Sequence, residues 1–268
     1  MEWQIQKANI YKQLTEIIDH DQPTLIFLDE LTVLLANIIE QEDGKRQTSH
    51  FLHWLRDLRI TSKSNIRWIF CSSVGINNFT HSHQISDTVN DLKDYKLRPF
   101  DVTTSKAMLM KLSHDEDFQL SSEIQEQIIT KLVFCLPYFL QLMFEKIKYF
   151  VEVEGVVFNE TMVDLAYDSL TKEKHFNTWI ERIDGQYGEN PQSAFVVLRH
   201  ICQTKEGTTR DNLKAVLMMS NQDLEVVEKS LSSLIYMLTN DGYLMEENGL
   251  YAFRSPLLRD FWFNRFVK

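Results

Sequence analysis

TLIFLDEL, residues 24–31, is an apolar run closed by two carboxylates. Leu25, Ile26, Phe27 and Leu28 leave no polar face, so the run reads as a buried strand of a parallel sheet. Asp29 and Glu30 then stand at its C-terminal end, the end at which open parallel sheets bind their ligands. The pair has two readings. As local structure, it supplies an N-cap and a first-turn acid for the helix that follows, both favourable to the helix dipole. As chemistry, it places two acids where a ligand would sit.

Working outward, residues 2–19 fit an amphipathic helix that DHDQP (19–23) breaks. Residues 31–41 read as helix, EDGKRQTS (42–49) as a polar loop, and SHFLHWLRDLR (49–59) as a helix with Phe51, Leu52, Leu55 and Leu58 on one stripe. NIRWIFCSS (65–73) reads as a second strand ending in hydroxyls, and YKLRPF (95–100) as a short strand stopped by Pro99. From residue 101 to about 170 the pattern is helix and loop, with LPYFLQLMFEKIKYF (136–150) the most apolar helix. From Pro191 three helices follow, the second capped by Thr208 or Thr209 and the third closed by Gly242, and then two strands around Glu247-Asn248-Gly249. Three helices and a hairpin make a winged-helix arrangement, and SPLLRDFWFNRF (255–266) ends the chain as a helix. The fold class is α/β followed by all-α and a winged helix, mostly helical.

The 268 residues have room for one large domain or two small ones, and a formal net charge of −10 gives no global basic field toward nucleic acid or anionic membrane. Cys71, Cys135 and Cys202 are odd in number and far apart. Cys71 and Cys135 lie in apolar stretches and read as buried free thiols of a reducing compartment, so the expected location is cytoplasmic. The start, MEWQIQKANIYKQL, is amphipathic and charged rather than signal-like, and no apolar run reaches the ~18 residues of a membrane span. The histidines are scattered without metal-ligand spacing, and no Ser-His-Asp or Cys-His triad can be argued from spacing.

Several stretches together resemble the P-loop ATPases of the AAA+/STAND class, especially the archaeal-type ATPases with a C-terminal winged helix. TLIFLDEL (24–31) looks like their Walker B strand, NIRWIFCSSVGI (65–76) like the next strand with its sensor-1 segment, and YKLRPFDVTTSKAMLMKL (95–112) like the approach to the helical lid. LPYFLQLMFEKI (136–147) looks like the lid motif, and NDGYLMEENGLYAFRSPLLRDFW (240–262) like the end of the winged helix. The resemblance divides the chain into a partial P-loop core (1–100), a helical lid (101–185) and a winged-helix domain (186–268). It implies that Asp29 holds the Mg²⁺ of bound ATP and that Glu30 is the catalytic base. Ser73 is then the sensor of the γ-phosphate, and Pro137 the residue lining the nucleotide side of the lid. Phe134, Cys135 and Leu136 stand where the family has a Gly before that Pro. Arg56 and Arg59 are candidate charge stabilisers.

The phosphate cradle is missing. A P-loop, G-x-x-x-x-G-K-[ST], holds phosphates on successive backbone N–H groups at a helix N-terminus. Only twenty-eight residues precede Asp29 and none is Gly; the single Gly-Lys, Gly44-Lys45, comes after the acids and lacks the first Gly. The sequence therefore reads as the truncated, back part of an ATPase. An upstream P-loop-bearing polypeptide would supply the Walker A segment, and these residues alone are expected to bind no nucleotide. The family's P-loop strand lies between the sensor-1 strand and the last strand, so its absence leaves a gap beside 66–72. The alternative is a catalytically inactive winged-helix adaptor that binds protein or DNA on a degenerate ATPase scaffold. Residues 191–268 carry nine Lys/Arg against nine Asp/Glu, which disfavours DNA.

Overall fold

The computed structural model describes residues 2–17, 23–61, 66–72, 74–95, 97–159, 161–187, 191–220 and 223–268. The chain divides into two compact units, Met1–Asp94 and Tyr95–Lys268.

In the first unit, helix α1 (Glu2–Ile17) precedes strand β1 (Thr24–Leu28). Helices α2 (Leu31–Ile39) and α3 (Gly44–Thr61) lead to strand β2 (Ile66–Phe70), and α4 (Ile76–Ser82) follows. β1 and β2 pair in parallel, Thr24 opposite Ile66 and Leu28 opposite Phe70. The helical crossover between them is the connection that parallel strands require. Leu28, Trp68 and Phe70 pack against a small core of Leu31, Leu35, Leu52, Leu55, Leu58, Phe79 and Ile85. Pleating turns Leu25, Phe27 and Ile69 to the opposite face, where they are exposed.

Three expectations are corrected here. The segment expected as a polar loop is helical from Gly44 onward. Asp43 takes a positive φ of 60°, its carboxylate pairs with Arg46 at 2.6 Å, and its carbonyl accepts the Gln47 N–H. A Cβ on Gly44 would stand 2.3 Å from the Ile39 carbonyl oxygen, so the glycine serves the tight α2–α3 corner. Residues 95–100 form no strand among those described. Pro99 has no N–H to give a ladder, the Phe100 N–H goes to the Cys135 carbonyl, and Tyr95 and Leu97 are 87% and 85% exposed. Cys71, expected to be buried, is exposed just past the end of β2. Cys135 and Cys202 are buried, and burial pushes the Cys202 thiol up to about 11.

The second unit runs through helices α5 (Val102–Asp115), α6 (Ser122–Leu132), α7 (Pro137–Glu152), α8 (Met162–Leu170) and α9 (Asn177–Gln186). There follow α10 (Pro191–Ile201), strand β3 (Thr208–Thr209), α11 (Arg210–Met218) and α12 (Leu224–Asn240). Strands β4 (Leu244–Glu247) and β5 (Leu250–Phe253) and helix α13 (Pro256–Phe266) complete it. The starts are written in capping residues: Asp101, Ser121, Thr209, Asp223 and Ser255 each accept a backbone N–H of the helix that follows. α12 ends as expected at Gly242, with φ 84°. The Tyr243 N–H bonds the Leu238 carbonyl and the Gly242 N–H that of Thr239, which is a Schellman motif. Asn248 and Gly249, both at positive φ, form the two-residue hairpin turn between β4 and β5, and β3 adds to β5.

One continuous core joins α5–α9 and the Tyr187 just after them to the helices and hairpin after residue 190. Three tyrosine hydroxyls bridge the same divide. Tyr167 donates to Asp260 (2.9 Å), Tyr187 to Asp241 (2.8 Å) and Tyr243 to the Trp179 carbonyl (2.6 Å). Burial, reinforced at Tyr167 and Tyr187 by the partner carboxylate, raises all three phenols well above their ordinary range, so each stays a proton donor.

Candidate functional site at the strand ends

The strand-to-helix turn after β1 is only two residues long, and this shortness sets its geometry. Asp29 leaves the strand and its Oδ1 accepts the Glu30 N–H at 2.9 Å. Glu30 takes the left-handed conformation, φ 51° and ψ 36°. An L-residue held there costs on the order of 1 kcal/mol. The Glu30 carbonyl accepts from Val33 and Leu34, but its side chain makes no cap. The helix N-terminus is satisfied from the neighbouring strand. The Leu31 N–H bonds the Cys71 carbonyl (3.3 Å) and the Thr32 N–H bonds the Ser72 hydroxyl (3.0 Å). The buried Thr32 hydroxyl also contacts Ser72 Oγ and reaches the Val74 carbonyl. The Cys71 N–H in turn bonds the Leu28 carbonyl, so the ladder continues one step past β2.

Glu30 thus stands at the N-cap position of α2 but caps it with its carbonyl alone, and both acids are exposed at the C-terminal end of the sheet. The hydroxyl committed to the seam is Ser72. Ser73, the expected sensor, lies outside the described residues. No sequence signal pairs Ser72 with Thr32, forty positions earlier; only the parallel register brings them together.

Arg56 and Arg59 have other duties. The Arg59 guanidinium clamps Asp91 with two bonds of 2.8 Å, donates to the Thr88 carbonyl and lies 5.2 Å from the Phe70 ring centre. Arg56 donates to the Asp87 carbonyl and stands 3.7 Å from Asp91. Hydrogen bonding from Arg59 holds the Asp91 carboxyl below its usual range. This fork ties the segment after α4 to α3. Pro137 belongs to the second unit, at the first position of α7, where its missing N–H costs nothing.

In the C-terminal helices the cations on α11 are locally neutralised. Glu228 of α12 accepts from Arg210 and Lys214, each at 2.9 Å, and those bonds, Lys214 first, lower its pKa. Asp223 is bound to its own helix, and Met219, Leu224 and Val226 are exposed around the start of α12.

No family model matches this sequence, and no curated protein matches it. Among solved structures, the chain is similar to a Walker-type ATPase of Pyrococcus abyssi, with a TM-score of 0.59 over 90% of this chain at 13% identity. The alignment covers 63% of that ATPase. The likeness shows a P-loop ATPase-like fold: a mostly helical α/β chain with a small parallel sheet.

Proposed function

We propose that these residues form an incomplete nucleotide-binding module of an AAA+/STAND-like ATPase, a switch or regulator completed by a Walker A segment supplied elsewhere. The carrying observation is the Asp29–Glu30 pair, exposed at the C-terminal end of a parallel strand, with no side-chain cap bond from Glu30 to the next helix. Asp29 is the Mg²⁺-side acid; one carboxylate with waters and phosphate oxygens is an ordinary Mg²⁺ donor set. When bound, the cation would neutralise charge on the phosphates. Glu30 accepts a proton from, and orients, the attacking water. Ser73 is assigned the sensor role and Pro137 the lid contact. The donor set fits the cation but not the triphosphate, because no G-x-x-x-x-G-K-[ST] pattern occurs in the sequence.

Calorimetric titration with Mg·ATP should give no micromolar binding to the 268-residue chain. Binding at that level would reveal a cradle built from other residues and refute the incomplete-module reading. Once a Walker A segment is supplied, Glu30→Gln should abolish turnover and leave nucleotide bound. Undiminished hydrolysis by that variant would remove Glu30 from the base role.

The second reading is an inactive adaptor whose C-terminal three helices and hairpin, a winged helix, dock a protein. It is favoured over a DNA-binding adaptor by Glu228, which occupies Arg210 and Lys214. Duplex DNA should bind weakly and with a shallow salt dependence; a steep loss between low and moderate salt would report many phosphate contacts and restore DNA as the partner. Among the described residues no helix is long and apolar enough to cross a membrane; a cytoplasmic location is part of the same proposal.

A further inference from the structure

The segment between α7 and α8 is built like an edge strand without a neighbour. VEVEGVVFN, residues 151–159, leaves α7 at Glu152, turns at Gly155 with φ 67°, and then runs through Val156, Val157 and Phe158 with no helix, turn or bend. Burial alternates along it as it does along a strand. Val156 packs against the core, Val157 is 77% exposed, and the Phe158 ring returns edge-on to Phe118 at 6.1 Å. The Val156 N–H bonds the Phe150 carbonyl, whereas the N–H and C=O groups of Val157 and Phe158 bond nothing among the described residues. Successive N–H groups of an extended chain alternate in direction, so those of Val157 turn away from α7. β-Branched and aromatic residues with open backbone groups form a template for one more strand. Val153, just before the turn, adds another exposed apolar side chain.

The frame of this segment is acidic. Lys148 of α7 donates to the Glu116 carboxylate (2.9 Å) and carbonyl (3.1 Å) and stands 3.9 Å from Glu152. The Glu116 hydrogen bond first, then the charges of Glu116, Glu152 and Asp117, hold the Lys148 ammonium above its ordinary range, so this cation is already committed. Lys111 is likewise paired with Asp115. The contacts of Lys148 with Glu116 and of Phe118 with Phe158 join the end of α5 to the end of α7. On that joint surface Asp115, Glu116, Asp117, Glu152 and Glu154 stand against Lys111, Lys148 and His114.

We infer that residues 155–158 accept an extended segment of a partner protein in which lysine or arginine alternates with apolar residues. Its backbone pairs with the open groups of Val157, its apolar side chains meet Val153 and Val157, and its cations meet Glu152, Glu154 and Asp117. Charge selects this occupant over a second copy of the chain. Two copies pairing here would crowd both sets of carboxylates onto one surface, and like charges across a strand pair oppose pairing. The inference is independent of the ATPase reading.

The test titrates the full chain with a synthetic peptide of alternating Val and Lys. Two controls run beside it: the Val–Glu counterpart, and a backbone N-methylated Val–Lys form that cannot pair as a strand. The Val–Lys peptide should bind at least about tenfold more tightly than either control. It should also slow amide exchange at Val157 by about tenfold or more. A variant carrying Glu154→Lys and Val157→Lys, both at exposed positions, should lose this binding and keep its melting temperature. No binding of the Val–Lys peptide overturns the inference, as does equal binding of either control. Binding that leaves Val157 unprotected would show adhesion by charge alone and overturns the strand pairing. Slowing at Val157 that grows with the concentration of the chain without peptide would make a second copy the occupant and overturns the choice of partner.

Discussion

The two units solve the problem of burial differently. Unit Tyr95–Lys268 closes on itself: one apolar core runs from α5 to α13, with Trp262 fully buried among the rings of Phe195, Tyr243, Phe253, Phe261 and Phe266. Unit Met1–Asp94 has, among the described residues, a core cluster of seven buried apolar side chains, and gains definition from polar ties: Arg59 on Asp91, Ser72 on Thr32. A thin apolar core makes each polar tie count for more, whereas a deep one spreads stability over many apolar contacts.

The largest effect expected is in the second unit. Trp262→Ala should cost about 3–5 kcal/mol in denaturant unfolding, and the loss should fall on α5–α13 as one cooperative step. If α5–α9 kept their amide protection while α10–α13 melted, the single-core description would fail. A smaller change should isolate the first unit. Asp91→Asn weakens the Arg59 fork and should cost about 1–2 kcal/mol, because the pair is partly open to solvent. The sign with pH follows from the lowered carboxyl. Its contribution is fully present above the ordinary value of 3.8 and is lost as pH falls through the lower folded-state value. Acid titration of amide protection in α3 should therefore flatten in Asp91→Asn below that value; an unchanged acid profile would show that the fork carries no stability.

The smallest effect has the opposite sign. α6 ends in a γ-turn in which the Phe134 N–H bonds the Leu132 carbonyl across Val133, at φ 57° and ψ −48°. A β-branched residue is strained there, and Val133 is 72% exposed, so little packing holds it. Val133→Gly should raise stability of the second unit by about 1 kcal/mol. A loss instead would mean that the side chain carries packing that its exposure hides.

What could be read in advance was what local chemistry controls. TLIFL announced a buried strand through its unbroken apolar run, and Asp29–Glu30 fell at its end; yet only one face of that strand is covered. Gly242 and Asn248-Gly249 announced a helix stop and a hairpin through the positive φ that each needs. What could not be read depended on distant partners. YKLRPF has the composition of a strand, but among the described residues it pairs with no strand, and its last N–H is taken by Cys135. Arg59 and Asp91 are thirty-two positions apart, so the fork that occupies a candidate catalytic arginine had no local signature. Gly44 read as part of a polar loop, whereas the glycine is there because α2 and α3 meet too closely for a Cβ.

The three tyrosine bridges have a mechanical consequence. Sliding α8 past α13 would strip Asp260 of its Tyr167 hydroxyl, and moving the hairpin from α9 would orphan the Tyr243 hydroxyl in a dry core. Shear inside the second unit is therefore costly: the α5–α9 helices cannot slide against the helices and hairpin after residue 190 without stranding a buried hydroxyl or its acceptor.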